Sequence, residues 1–139
     1  MAIVGEAGAA CARSPVTDQS PRAPEARAVL GQRFDLRVGE TAVLQAETLT
    51  ITFERVAEDS RCPRDTTCVW EGDAAIRLAV RGADAAAGTL TLHTQAAAVR
   101  EAEFQEYRVR LVQLAPWPQT SGGIPADRYV ATLTVSRSR

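Results

Sequence analysis

The chain has no lysine and no asparagine, a single histidine and a single methionine, three cysteines, and only 5% aromatic residues. All 16 cationic side chains are therefore arginine. Arginine selects for bidentate anion pairing, yet no two neighbouring arginines form the dense run that a phosphate site calls for, and a bias spread along the whole chain fits a GC-rich genome. The 17 acidic residues leave a formal net charge of -1 and a pI near 5.9, without the basic footprint of a nucleic-acid binder. No stretch approaches the roughly 18 uninterrupted apolar residues of a membrane-spanning helix, because arginines and carboxylates punctuate every segment. What is present, 139 residues with 45% hydrophobic and 24% charged, suits one soluble domain of ordinary size.

The first thirty residues differ from the rest. Alanine and glycine run up to Cys11, and Ser14, Pro15, Thr17, Ser20, Pro21 and Pro24 follow without any hydrophobic period, which reads as a disordered linker over 1–30 ahead of a domain over 31–139. The run Gly8-Ala9-Ala10-Cys11 resembles the end of a bacterial lipoprotein signal, in which small residues precede a cysteine that takes a lipid. Gly8 stands where an aliphatic residue is usual, and Glu6 interrupts the apolar stretch. A tail with an incidental thiol is the alternative. Cys62 and Cys68, with five residues between them including Pro63, have a spacing that can close a small disulfide loop. Such a pair persists in the periplasm or outside the cell and is reduced in the cytosol.

From Phe34 onward the pattern is β, with no long segment of helical period. Between Cys68 and Val80 the even positions Cys68, Trp70, Gly72, Ala74, Ile76, Leu78 and Val80 alternate with Glu71, Asp73, Arg77 and Arg81, so one strand with Cys68 and Trp70 on its buried face is expected. Leu49, Ile51 and Phe53 alternate with threonines, but Arg55 then falls in phase with the apolar face; a bulge near Glu54 and Arg55 restores Val56 to the core. Further strands are expected at Phe34–Val38, around Val43, at Leu90–Leu92, at Tyr107–Leu111 and at Tyr129–Val135. Seven strands so spaced predict an all-β, antiparallel two-sheet sandwich, Ig-like in general architecture. Ala83–Gly88 and Ala96–Ala102 are the only places where helix is plausible, and both are too short to carry a fold.

The run Asp59-Ser60-Arg61-Cys62-Pro63, then Cys68, Trp70 and Gly72, resembles a family of small bacterial secreted proteins and lipoproteins with no established activity. The flanking pattern, Phe34-x-Leu36 and Gly39 upstream and Tyr107-x-Val109-x-Leu111, Leu114-x-Pro116 and Tyr129 downstream, extends the resemblance over roughly 31–135. It implies an envelope location and a β fold, and no catalytic residues. Physically, Asp59 and Ser60 can cap the turn, Pro63 restricts the chain, and a Cys62–Cys68 bridge staples it. Arg61, Arg64 and Asp65 are then expected at the loop tip as a presented binding surface.

Enzyme chemistry has little to work with. His93 lies on the outward face of its expected strand with Thr89 and Thr91, and there is no G-x-S-x-G elbow, H-E-x-x-H helix or phosphate-binding glycine loop. Glu101, Glu103 and Glu106 read as a solvated approach to a strand rather than a glycosidase pair. A metal reading would combine Cys62 and Cys68 with His93 and Asp59, although tetrahedral sites use tighter cysteine spacing. No calcium loop of the D-x-D-x-D-G kind surrounds Asp59, Glu71 or Asp73. The segment 115–127, with Trp117 between Pro116 and Pro118 and then Gly122 and Gly123, is similar to the inserting loops of chagasin-like cysteine-protease inhibitors, sandwiches that place a Pro-Trp loop in an enzyme cleft. Ala115 stands where that family carries arginine. Trp117 is expected to be partly buried with its edge accessible, held against Tyr107 or Tyr129.

Together these features lead us to expect a monomeric, non-enzymatic envelope domain without cofactor, metal or nucleic-acid partner. It would touch the membrane only through a lipid on Cys11 and bind an envelope protein or small envelope ligand by loops at one sheet end. An inhibitor using 115–127 and a metal binder using Cys62 and Cys68 are the alternatives.

Overall fold

Strands form where alternating residues can be covered on one face, and the computed structural model, which describes residues 25–44, 47–95 and 99–138, contains nine of them among those residues. They are β1 (Glu25–Ala28), β2 (Phe34–Arg37), β3 (Thr41–Leu44), β4 (Leu49–Asp59), β5 (Ala74–Arg81), β6 (Ala87–His93), β7 (Glu101–Phe104), β8 (Tyr107–Ala115) and β9 (Val130–Arg137). One sheet has the order β1-β3-β4-β5-β6 and the other β2-β9-β8-β7. All pairings are antiparallel except that of β1 with β3. The fold is thus all-β, a two-sheet sandwich in which β3–β6 and β7–β9 are meanders.

The core lies between the sheets and is made by the alternation itself. Leu49, Ile51 and Phe53 of β4, Ala74, Ile76, Leu78 and Val80 of β5, Val109 and Leu111 of β8, and Ala131, Leu133 and Val135 of β9 are buried, facing one another across it. The β4–β5 register shifts between Phe53 and Arg55, which leaves Arg55 exposed and packs Val56 against the core, as the phase slip requires.

Three expectations need correction. The domain does not begin at residue 31: Glu25–Ala28, within the expected linker, forms β1 in parallel register with β3, and Ala28 is buried in the core. Residues 1–24, with Cys11, lie outside the described residues. The strand expected from Cys68 begins only at Ala74, because Gly72 takes a φ of 76° and ends the alternation before it. Glu101–Phe104, expected as a solvated approach, is β7, hairpinned to β8 through Gln105 and Glu106. Of the two alanine-rich stretches, 83–86 is the tight turn between β5 and β6, with Asp84 and Ala85 at φ of 61° and 57° and the Ala86 amide donating to the Ala83 carbonyl, and residues 96–98 lie outside the described residues.

Candidate functional site

At the end of the sandwich where β4 passes into β5, the connection 60–73 is built as a short extension of their ladder. Ser60 N–H donates to the Asp73 carbonyl at 2.7 Å and Cys62 N–H to the Glu71 carbonyl at 2.8 Å. The two chains approach so closely that a Cβ on Gly72 would stand 1.9 Å from the Ser60 oxygen, which with the positive φ leaves glycine as the residue that fits. Beyond this neck the disulfide Cys62–Cys68, with Cα atoms 6.0 Å apart, closes the tip. The tip is also tied sideways: the Arg64 and Asp65 amides donate to the carbonyls of Pro118 and Gln119 at 3.0 and 3.2 Å.

Arg61, expected at the loop tip, is instead buried to 3% exposure. Its Nε and Nη2 hold the two oxygens of Asp59 at 2.8 Å each, Nη1 donates to the Leu114 carbonyl at 2.7 Å, and Nη2 also donates to the Pro116 carbonyl at 3.0 Å. The guanidinium carbon lies 5.1 Å from the centre of the Trp117 ring. Tyr129 donates its hydroxyl to Asp59 at 2.8 Å. A planar fork with five donors suits a site that presents a carboxylate and two carbonyls together, which lysine's single ammonium would not span. Burial pushes the Asp59 carboxyl up, but the hydrogen bonds from Arg61 and Tyr129 outweigh it and hold the group below the ordinary carboxylate range. Burial and the Asp59 hydrogen bond push Tyr129 up to about 12. Asp59, Arg61 and Tyr129 thus lock the stapled loop to the 114–129 connection.

Trp117 takes part in this lock. Its Nε1 donates to the Cys62 carbonyl at 2.7 Å, and the residue is 36% exposed. Its edge is accessible as expected, but its anchors are Arg61 and the disulfide loop rather than Tyr107 or Tyr129. Trp70, expected on the core face, is 67% exposed, and Val69 beside it is fully exposed. Two-residue alternation turns Trp70 inward only if it continues unbroken through Gly72, where the positive φ interrupts it. The glycine two residues after the tryptophan was the available signal that the strand had not yet begun. Arg64 and Asp65 are exposed on the same loop, as expected. A groove of about 470 Å³ opens next to them, with Arg64 and Glu71 from the loop, Gln95 and Arg100 from the β6–β7 connection, Gln113 from β8, and Trp117.

His93 stands on the outer face of β6, as its phase requires, but it is half-buried rather than freely solvated. Its Nδ1 lies 2.5 Å from Asp73 Oδ2. The Gln95 amide and the Thr94 hydroxyl donate to Asp73 Oδ1 at 3.0 and 3.3 Å. Burial raises the Asp73 carboxyl, and the bonds from His93, Gln95 and Thr94 bring it below its ordinary value. The cysteines and His93 do not form one constellation, since Cys62 and Cys68 are bonded to each other and have no thiolate to offer a metal. No known family, no curated protein and no solved structure matches the chain.

Proposed function

We propose that this chain is a non-enzymatic binding domain of the bacterial cell envelope, lipid-tethered through Cys11, which recognises an envelope protein or small envelope ligand with the stapled loop at one end of the sandwich. The observation that carries this reading is a loop locked in place by a buried arginine and a disulfide whose two large apolar side chains, Val69 and Trp70, nevertheless face solvent. A staple that served only stability would gain by turning the tryptophan inward. An exposed aromatic on a loop whose backbone is already fixed by the disulfide and by bonds to the 118–119 carbonyls has the character of a binding hot spot, because the loop itself has little ordering entropy left to lose on association. The groove lined by Arg64 and Glu71 of the same loop also carries Arg61 and Arg100. The Pro/Ser-rich run after Cys11 and the oxidised cysteine pair support an exported, tethered location. Trp117 favours this reading over an inserting inhibitor loop, since its ring is held by Arg61 and Cys62 and forms part of the platform.

Photo-crosslinking in the native bacterial host tests the surface. A photoreactive phenylalanine analogue at position 69 or 70 should yield discrete adducts, and the same group at position 84, in the β5–β6 turn at the opposite end, should not. Absence of adducts at 69 and 70, or equal adducts at 84, contradicts the reading. For the tether, Cys11→Ala in the native gene should release the protein from the membrane fraction, and unchanged partition contradicts a lipid at Cys11.

A further inference from the structure

Strand register brings three metal-ligating side chains together on the outer face of the larger sheet, away from the two cysteines. Glu58 of β4 pairs with Ala75 of β5, and Ala75 pairs with His93 of β6, so Glu58, Ala75 and His93 form one row across three adjacent strands. Asp73 precedes Ala75 by two residues and shares its face. The middle of the row is a methyl group only, and Ala75 is 3% exposed because its neighbours close over it. One carboxylate oxygen from Glu58, one from Asp73 and a ring nitrogen of His93 all lie within 4.8 Å of one another.

We infer that Glu58, Asp73 and His93 are a binding site for a divalent first-row transition cation such as zinc. Two carboxylates crowd a single imidazole here, and Glu58 makes no ion pair among the described residues. Arg55 and Arg77, paired with each other in the next row, bridge to neither acid. A cation would supply the missing positive charge. The imidazole selects against calcium and magnesium, which prefer oxygen alone, and favours zinc and its neighbours. Asp73 is already oriented for the role, because the Gln95 amide and Thr94 hydroxyl occupy Oδ1 and leave Oδ2 directed at the site.

Binding requires a small adjustment. Two donors about 2.1 Å from a tetrahedral zinc stand roughly 3.4 Å apart, so the ion would part His93 Nδ1 and Asp73 Oδ2 by about 1 Å. Glu58, whose side chain is exposed, closes the third position. Three protein donors leave a fourth position for water or for a donor on a bound partner. The ion would also bridge β4, β5 and β6 at the root of the stapled loop, where Ser60 N–H meets the Asp73 carbonyl.

Titration of the oxidised full chain with zinc chloride in a Cys11→Ser background, followed by calorimetry and by amide NMR, tests the assignment. One equivalent should bind, with shifts confined to the neighbourhoods of 58, 73 and 93. His93→Ala should weaken binding by at least the roughly 10–100-fold that loss of an outer-sphere partner alone costs. Glu58→Gln, a change on an exposed side chain, should weaken it as well, and Glu103→Gln on the other sheet should leave it unchanged. No binding at millimolar zinc, or binding that survives His93→Ala in a folded variant, overturns the site.

Discussion

Replacing Arg61 by alanine removes one partner from a buried ion pair and leaves three acceptors behind. The Asp59 carboxylate would keep only the Tyr129 hydroxyl and the Arg61→Ala backbone amide, the Leu114 and Pro116 carbonyls would lose their donor, and Trp117 would lose the cation over its face. Breaking a buried pair in this way costs about 3–5 kcal/mol, because the remaining charge stays desolvated without compensation. For a domain of this size the loss corresponds to a fall in Tm of roughly 10–20 °C. Arg61→Lys should fall between parent and alanine, since it keeps the charge but cannot reach the carboxylate and both carbonyls together. Urea denaturation followed by circular dichroism measures all of these. In a double-mutant cycle, Asp59→Ala with Arg61→Ala should cost less than the sum of the single changes by about 1–3 kcal/mol. A loss under about 1 kcal/mol for Arg61→Ala, or additivity in the cycle, would refute the lock.

Four further outcomes follow from the same geometry. Gly72→Ala should destabilise by about 2 kcal/mol or more, because it adds a Cβ where the Ser60 oxygen stands 1.9 Å away and forces a side chain into positive φ; thermal unfolding reads this directly. Trp70→Ala should leave stability within about 0.5 kcal/mol of the parent, as expected of an exposed side chain, whereas Trp117→Ala should cost more through its hydrogen bond to Cys62 and its contact with Arg61. Replacing Cys62 and Cys68 together by serine should lower stability by about 2 kcal/mol, the entropy of so short a loop. The Asp59 and Asp73 carboxyls, and that of Glu47, which accepts from the Tyr107 hydroxyl and from Arg137, sit below their ordinary values in the folded protein, so their contribution is complete above about pH 5 and is lost as pH falls below about 4 through their folded values; Tyr107, pushed up to about 12 by burial and its bond to Glu47, and Tyr129, pushed up to about 12, add a loss as pH rises from 10 towards 12, and a pH series of urea midpoints shows both limbs.

The sandwich was legible where alternation is long and interrupted by recognisable turn residues. Ile76 to Val80, Tyr107 to Leu111 and Ala131 to Val135 each declared their buried face, and the phase slip at Arg55 disclosed the bulge. β1 was not legible, because Glu-Ala-Arg-Ala carries almost no hydrophobic signal and its strand character comes from pairing with β3. The site was legible only in part. The cysteine spacing indicated the staple, and Pro-Trp-Pro marked a connection of consequence. The burial of Arg61 depends on carbonyls 53 and 55 residues further along, a relation that no local pattern contains. Trp70 lies outside rather than in the core because period two continues formally through the loop while the backbone at Gly72, with its positive φ, interrupts it. The outward phase of His93 was readable, but its meeting with Asp73 and Glu58 required the register of three strands.

That the stapled loop stands in one conformation before any partner arrives is tested most directly by amide hydrogen exchange on the free, oxidised protein. The amides of Cys62, Arg64 and Asp65 donate to the carbonyls of Glu71, Pro118 and Gln119, and they should exchange far more slowly than unstructured amides. That protection should be lost in Arg61→Ala while the amides of the β8–β9 ladder between Val109 and Val135 remain protected. Exchange of the three loop amides at unprotected rates in the parent protein would contradict a preformed binding platform.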